Sequence, residues 1–354
     1  MNTLEQYGWN DFFSNHYNEN KNNDFKPARV ISLKGHKYHL ITENGEKPAE
    51  LSGKLLYGTD PENIPRVGDW VCFLDYATEG YITELLGRRN ILARRQPGNR
   101  TERQVMAANI DYALIIQGLD RDFNIMRLDR YIVQITDCGI EPVVILNKED
   151  LIESRDRYIS EVSRLGRKCP VYFCSMMSKS GLDELYTQAL KAGKTHILIG
   201  SSGVGKSSVI NALLDKIGLK TSDLSDSTGK GKHTTTTSDL FILSNGSLII
   251  DTPGMREFGI ALDNKVTSPG LFPVIEEFAA GCRFSDCTHL NEAGCAVIEA
   301  FENGTLDAKI YTSYQKLIRE QRRFEIKKED QKRLGKQFGK MTREAKEFRK
   351  KYKY

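Results

Sequence analysis

The chain contains no apolar run of the roughly 20 residues that a membrane-spanning helix needs. Residues 1–10 include an acidic side chain and lack the basic-then-apolar pattern of a secretion signal. Only 2 tryptophans and 10 prolines occur in 354 residues, and 39% hydrophobic and 28% charged residues make an ordinary globular composition. We therefore expect a cytoplasmic protein without a membrane partner, long enough for two or three domains.

Cysteines are too few and too unevenly placed for a disulfide scaffold. Four of the seven stand singly in or beside apolar segments, where cysteine is usually a small buried hydrophobe: Cys72, Cys138, Cys169 and Cys174. The other three share fourteen residues with a histidine, as Cys282-x4-Cys287-x-His289-x5-Cys295. Three thiolates and one imidazole predict a closed, structural zinc site, with an unmetallated cluster as the alternative.

The net charge of +4 conceals an asymmetry along the chain. Residues 309–354 carry 17 Lys and Arg against 6 Asp and Glu, whereas residues 1–308 carry 34 basic and 41 acidic side chains. A basic end on an acidic body is expected of a protein that docks on a polyanion. A solvated helix face is the alternative.

The most informative stretch is a glycine loop, GSSGVGKS, between an apolar run at 195–199 and a segment with helical apolar spacing. Backbone amides of such a loop and the helix N-terminus together bind phosphate. We expect Lys206 to reach the β- and γ-phosphates and Ser207 to bind Mg²⁺. The predicted phosphate-binding residues are Gly200, Ser201, Ser202, Gly203, Val204, Gly205, Lys206, Ser207 and Ser208.

A second motif, NKED, follows a predicted strand at 143–146. The Asp150 carboxylate can accept hydrogen bonds from N1–H and the exocyclic amine of guanine, whereas adenine offers neither donor. Lys148 would lie along the base plane, and Asn147 would tie this loop to its neighbours. The predicted base-binding residues are Asn147, Lys148, Glu149, Asp150 and Ser175, the last through its backbone after a strand at 171–174.

Two further segments complete a nucleoside triphosphate site. The polar run at 227–237 contains several threonines, of which Thr235 is our candidate magnesium ligand, and we expect this run to move with the γ-phosphate. Strands at 239–243 and 247–250 deliver Asp251 to the magnesium shell and the Gly254 amide to the γ-phosphate. Met255 follows that glycine and cannot orient water, so His233 is the candidate for this catalytic role.

Residues 28–92 have strand periodicity in five short segments: 29–33, 37–41, 49–55, 69–74 and 81–85. Five short strands predict a small barrel of the OB type, which often binds oligonucleotides, although a barrel can also serve as a spacer. Several arginines beyond residue 87 predict a basic linker. The aromatic residues of the first 25 positions fit either a loose arm or a short packed helix.

The order of these motifs along the chain differs from the order in small GTPases, in which the phosphate loop comes first. The sequence resembles a circularly permuted GTPase of the RsgA family, on GKHTTT, DTPGMREFG and the Cys/His motif in combination. The resemblance spans residues 28–330. It implies Mg²⁺-dependent hydrolysis of GTP to GDP, stimulated by the small (30S) ribosomal subunit and coupled to its late maturation, with rRNA as partner.

The predicted architecture is multidomain: an OB-fold β-barrel, a central α/β P-loop GTPase with permuted motifs, and a mainly helical zinc-binding domain. The predicted bounds are an arm at 1–27, the barrel at 28–95, the GTPase at 96–265, the zinc domain at 266–330 and a basic tail at 331–354. A monomer is expected. Two other functions stay open on the sequence: a GTP-gated RNA-binding module in which hydrolysis is incidental, and a zinc-dependent RNA chaperone with a degenerate nucleotide site.

Overall fold

The structure, a computed structural model, describes residues 3–19, 24–95, 103–215, 238–252 and 272–319. Contacts divide the chain into two compact units, residues 1–94 with 104–263, and residues 95–103 with 264–354. Within the described residues, every helix is too short or too polar to cross a membrane.

The N-terminal segment forms two short helices, α1 (Thr3–Gln6) and α2 (Asp11–Glu19). Leu4 and Phe13 are buried and pack in one apolar cluster with Trp70, Cys72 and Leu86 of the following domain. Of the two possibilities that the sequence left open, the structure therefore shows the packed helix.

Five strands follow and close into a barrel, because β1 pairs with both β2 and β4. Their bounds are Phe25–Lys34 (β1), Lys37–Thr42 (β2), Gly45–Leu51 (β3), Trp70–Asp75 (β4) and Gly80–Leu85 (β5). The predicted barrel is thus confirmed, but the predicted strand at 49–55 is wrong beyond Leu51. The pairing of β3 with β5 ends there, and the chain turns into helix α3 (Gly53–Gly58), which buries Leu55 against the barrel.

The predicted basic linker is wrong for its first two arginines. Arg88 donates two hydrogen bonds to the fully buried Asp69 carboxylate, and Arg89 pairs with Asp111 at 3.1 Å. A two-stranded sheet of Ile91–Arg95 (β6) and Arg103–Ala108 (β7) follows. A 3-10 turn, Pro61–Asn63, lies between α3 and β4.

The second half of this unit is an α/β sheet in the order β10-β9-β8-β11-β13-β12. The first five of these strands are parallel, so their carboxyl ends lie at one edge, and β12 is antiparallel to β13. The strands are Tyr112–Gly118 (β8), Glu141–Asn147 (β9), Val171–Cys174 (β10), Thr195–Ile199 (β11), Ser238–Ile242 (β12) and Leu248–Asp251 (β13). The helices are Ile125–Asp137 (α4), Asp156–Ser163 (α5), Leu182–Glu184 (α6, continued by a π turn at Leu185–Ala189) and Lys206–Asp215 (α7), with a 3-10 turn at Glu149–Leu151.

The barrel and the α/β sheet share one hydrogen-bonded ladder. Strand β12 pairs with β1 through Ser32 opposite Asp239 and Leu33 opposite Ser238, which makes one sheet of eleven strands. The Ser32 hydroxyl also donates to the Asp239 carboxylate. The first strand of the barrel is therefore also a direct neighbour of the α/β sheet.

Arg29 of β1 lies buried where the N-terminal helices, the barrel and the α/β sheet meet, with 1% of its surface exposed. Its guanidinium donates to the carbonyls of Tyr7, Gly68 and Asn109 and to the Thr195 hydroxyl, the last at 2.9 Å. Burial lowers the pKa of Arg29 to about 10, which still leaves it charged at neutral pH. Four separate segments of the chain thus accept hydrogen bonds from one guanidinium.

The second unit is described over 272–319. It contains helices Pro273–Ala279 and Ala296–Glu302 and a helical stretch at 308–319. This stretch buries Ile310, Tyr314, Leu317 and Ile318, which lie on one face of the helix. The predicted basic tail at 331–354 lies outside the described residues.

We expect Arg29→Met to lower the free energy of unfolding by about 3 kcal/mol, because three carbonyls and a hydroxyl lose their donor in a buried site. Urea denaturation measures this change. The matched control is Arg157→Met, since the exposed Arg157 pairs with Glu161 at i,i+4 and lies over the Tyr158 ring, and these surface contacts should contribute less than about 1 kcal/mol. Equal stability of the two variants would contradict the role of Arg29.

Candidate nucleotide site and metal centre

The predicted nucleotide-binding motifs meet at the carboxyl edge of the parallel strands. Asn147 ends β9, Ser175 follows β10, Gly200 follows β11 and Asp251 ends β13. These strands are neighbours in the order β10-β9-β8-β11-β13, so residues far apart in the chain lie along one edge. Ligands of open α/β sheets bind at this edge.

Asn147 joins the NKED loop directly to the phosphate loop. Its side chain is buried, with 2% exposed, and its Nδ2 donates to the Val204 carbonyl at 2.8 Å. Gly205 has φ 97°, and a Cβ there would lie 2.4 Å from Asn147 Nδ2. A glycine is therefore required at 205 for the two loops to approach each other, and the predicted tie through Asn147 is present.

The phosphate loop has the backbone of an anion-binding turn. Gly200 has φ 152°, and a Cβ there would lie 2.3 Å from the Ile116 carbonyl. Lys206 begins α7, and its ammonium donates to the Gly200 carbonyl at 2.6 Å and to that of Ser201. Ser207 and Ser208 are exposed in the first turn of this ten-residue helix, whose N-terminal end favours negative charge.

Ser175 acts through its side chain in this structure. It is fully buried, its hydroxyl donates to the Asp150 carboxylate, and the amides of Met177 and Ser178 donate to it at 3.2 Å each. The hydroxyl therefore holds one oxygen of the carboxylate predicted to recognise guanine. The sequence predicted only a backbone contact from this residue.

The carboxylate of Glu149, also among the predicted base-binding residues, contacts two other side chains. It pairs with Arg155 and accepts from the Ser180 hydroxyl at 3.5 Å. These contacts connect the NKED loop to the loop after β10, so Glu149 joins the two loops of the predicted base pocket.

Lys148 has an unusual backbone and a partner that the sequence did not predict. Its φ of 68° lies in the left-handed region, and its ammonium pairs with the Asp120 carboxylate at 2.5 Å. Asp120 lies two residues past the end of β8, at the same sheet edge as the motifs. This position shortly after a parallel strand could have identified Asp120 as a candidate site residue from the sequence, because polar residues there commonly face ligands.

Asp251 lies opposite Asp239 in the antiparallel pair of β13 and β12. Burial raises the pKa of Asp251, the Asp239 carboxylate raises it further, and the Lys206 ammonium opposes both. Two neighbouring carboxylates with limited access to water favour a bound cation, which is the environment that the predicted magnesium role requires. His233, Thr235 and Gly254, the other predicted catalytic residues, lie outside the described residues.

The predicted zinc ligands converge in the second unit, where the ligand atoms of Cys282, Cys287, His289 and Cys295 lie within 4.8 Å of one another. The Cys282 and Cys295 sulfurs are 3.8 Å apart, and His289 Nδ1 lies 3.5 and 3.4 Å from them. Tetrahedral zinc at ordinary bond lengths separates two sulfurs by roughly 3.8 Å and a sulfur from a nitrogen by roughly 3.6 Å. The group therefore fits zinc.

The pKa shifts of Cys287 and His289 agree with a role as metal ligands. Burial and the neighbouring thiols raise the pKa of Cys287 to about 12, so the thiolate needs a cation beside it. Burial lowers the pKa of His289, which keeps the imidazole neutral, as a ligand must be.

Two groups hold the ligand loop in shape. The Tyr311 hydroxyl donates to the His289 carbonyl at 2.8 Å. Glu292 accepts from Thr288 and from the amides of Leu290 and Asn291, each amide at 3.0–3.1 Å. Burial alone would raise the pKa of Glu292, but these hydrogen bonds bring it to about 2, so the carboxylate stays ionised.

Comparison with known proteins gives concordant matches. The family profile described as RsgA GTPase matches residues 85–261. A protein of Bacteroides thetaiotaomicron named small ribosomal subunit biogenesis GTPase RsgA 1 is 40% identical over 346 residues, which cover 98% of this chain and 97% of that protein.

Two crystal structures are similar in fold. That of YjeQ from Thermotoga maritima has a TM-score of 0.62 and 27% identity, and the match covers 84% of this chain and 98% of that one. That of YloQ, titled a circularly permuted GTPase, has a TM-score of 0.60 and 26% identity, with coverage of 84% and 95%. The permuted motif order inferred from the sequence is thus matched by a solved structure.

We expect Asp150→Asn to shift base preference from guanine towards xanthine, because an amide cannot accept both guanine donors but can pair with a carbonyl. Discrimination should fall on the order of 100-fold. Competition between GDP and xanthosine diphosphate measures it. Asp156→Asn, a change to an exposed carboxylate bonded only locally to Ser154, is the control. Unchanged preference in Asp150→Asn would remove the base-reading role.

We expect Glu292→Gln to weaken zinc binding about 10-fold or more, because a glutamine amide cannot accept all the hydrogen bonds that shape the ligand loop. Competition with a chromogenic chelator gives the affinity. Asp286→Asn, an exposed acid in the same loop, is the control. If both variants hold zinc equally, Glu292 does not support the centre.

Proposed function

The chain belongs to the RsgA GTPase family, and on that premise we propose that it is a small ribosomal subunit biogenesis GTPase that hydrolyses GTP to GDP and phosphate. The observation that carries this proposal is the hydrogen bond from Asn147 Nδ2 to the Val204 carbonyl, at 2.8 Å. This contact supports the proposal because it joins the loop proposed to read the base to the loop proposed to hold the phosphates, despite their inverted order in the chain.

In the proposed site, base recognition belongs to the loops after β9 and β10. Asp150 accepts the two guanine donors while the Ser175 hydroxyl holds its carboxylate in place. The stem of Lys148 lies along the base. Adenine would leave the carboxylate without its donors, and this loss accounts for selectivity.

Phosphate recognition belongs to residues 200–208. The loop amides and the Lys206 ammonium, which already lies against two loop carbonyls, bind the phosphates and stabilise the negative charge that develops as water attacks. Ser207 and Thr235 would bind magnesium, with Asp251 in its outer shell, and the ion would neutralise phosphate charge when bound. His233 is proposed to orient the attacking water.

We further propose that Cys282, Cys287, His289 and Cys295 hold one zinc ion in a structural role. All four positions of a tetrahedral ion are filled by protein ligands, so none is left for a substrate. The domains are proposed at the bounds given from the sequence, except that the N-terminal segment contains helices packed on the barrel and the first barrel strand begins at Phe25. The protein is proposed to act as a cytoplasmic monomer.

The proposed partner is the small ribosomal subunit, contacted through its rRNA. Helix α3, which packs on the barrel, supports this proposal. Its Tyr57 is 86% exposed and its Leu56 is 44% exposed, and Lys54 in the same helix is also exposed. An exposed aromatic ring beside a lysine suits stacking on an unpaired base next to a phosphate.

The test is multiple-turnover phosphate release, measured with and without purified small subunits. We expect slow turnover alone and faster turnover with small subunits, and loss of both in Lys206→Ala. Lys168→Ala, which removes an exposed lysine before β10, at the opposite end of that strand from Ser175, should behave as wild type. A rate that small subunits leave unchanged would contradict coupling to the ribosome, and equal turnover of ATP would contradict the guanine site.

A further inference from the structure

The turn after β8 is built against the base-reading loop. Gly118 and Asn147 are partners in the parallel register of β8 and β9, and the Leu119 amide donates to the Asn147 carbonyl at 2.8 Å. The turn Leu119–Asp120 therefore lies beside Lys148 as a direct result of strand pairing.

Both carboxylate oxygens of Asp120 are used. Oδ1 accepts from the Asp122 amide at 3.0 Å, which fixes the carboxylate to its own turn. Oδ2 accepts from the Lys148 ammonium at 2.5 Å. The hydrogen bond from Lys148 lowers the pKa of Asp120, although its partial burial has the opposite effect, so this carboxylate remains a charged acceptor.

The Lys148 side chain is fixed at its backbone end as well as at its ammonium. Its backbone φ of 68° sets where the side chain leaves the loop. A Cβ at position 118 would lie 3.0 Å from Asp120 Oδ1 and 3.5 Å from Lys148 Cδ, so glycine leaves the space that the pair occupies. A lysine side chain that is fixed in one conformation loses rotamer entropy.

We propose that Asp120 is a positioning residue for guanine nucleotide binding: it anchors the Lys148 ammonium so that the aliphatic stem is already laid out where the face of the base will rest. This inference rests on the proposed function, in which Lys148 lies along the base. Because the stem is already ordered before the nucleotide binds, the entropy lost on ordering it does not oppose binding, and the affinity is higher.

This role predicts a specific pattern of loss. The stem touches the face of the ring, whereas Asp150 reads its edge, so Asp120→Asn should weaken GDP, GTP and xanthosine diphosphate by the same factor. We expect about a tenfold rise in Kd for each, with the GDP-to-xanthosine-diphosphate ratio and kcat unchanged. Fluorescent-nucleotide titration gives the Kd values, and multiple-turnover phosphate release at saturating GTP gives kcat.

The matched control lies two residues away. Asp122 has a similar place in the same turn, but its carboxylate pairs with Arg127 at 2.7 Å rather than with Lys148. Asp122→Asn should leave the Kd for GDP within about twofold of wild type. Thermal unfolding of both variants separates a general loosening of the turn from loss of the anchor.

A double-mutant cycle with Lys148→Met decides the question. Methionine keeps an unbranched stem but cannot pair with Asp120. Asp120→Asn should therefore raise the Kd about tenfold when Lys148 is present and less than about twofold in the Lys148→Met background.

The inference is overturned if Asp120→Asn binds GDP as wild type does, or if its full effect persists in the Lys148→Met background. Failure of the proposed function looks different: wild type itself would not prefer guanine, and Asp150→Asn would not change base preference.

Discussion

One buried cation connects most of the first unit. Arg29 brings together a carbonyl of the N-terminal helices, one from the barrel, one from the segment before β8 and the hydroxyl that begins β11. A guanidinium is planar and its N–H groups point in fixed directions, so these four acceptors can all be reached only when they are arranged in one way around it. Since β11 leads into the phosphate loop, the position of that loop depends on the same cation that orients the barrel.

The permuted motif order has little effect on the site because the sheet determines where each motif lies. Parallel strands β10, β9, β8, β11 and β13 present their carboxyl ends together whichever strand comes first in the chain. The Asn147 contact with Val204 then closes the gap between loops. A consequence is that β13, which carries Asp251, is the last of the described strands of the sheet in chain order, and the unit with the Cys3His group follows it in the sequence.

The motifs and most of the strands could be predicted from the sequence, because each is marked by residues that are neighbours in the chain. A glycine loop between an apolar run and a helical pattern, and polar residues directly after an apolar run, are visible without knowledge of the fold. The Arg29 contacts, the Ser175 hydroxyl on Asp150 and the Asp120 partner of Lys148 depend on residues up to 166 positions apart, which no local pattern reveals. The helix at 53–58 was missed for a related reason: β3 ends where its pairing with β5 ends, and pairing is a tertiary property.

The shared ladder between β12 and β1 constrains how the site and the barrel can move. A strand changes register only in whole-residue steps of roughly 3.3 Å, and a single step exchanges its two faces. Ser238 and Asp239 are held by β1 on one side, and Asp239 lies opposite Asp251 on the other. A displacement of β1 would therefore act on this carboxylate pair through three adjacent strands, β1, β12 and β13, with no intervening loop.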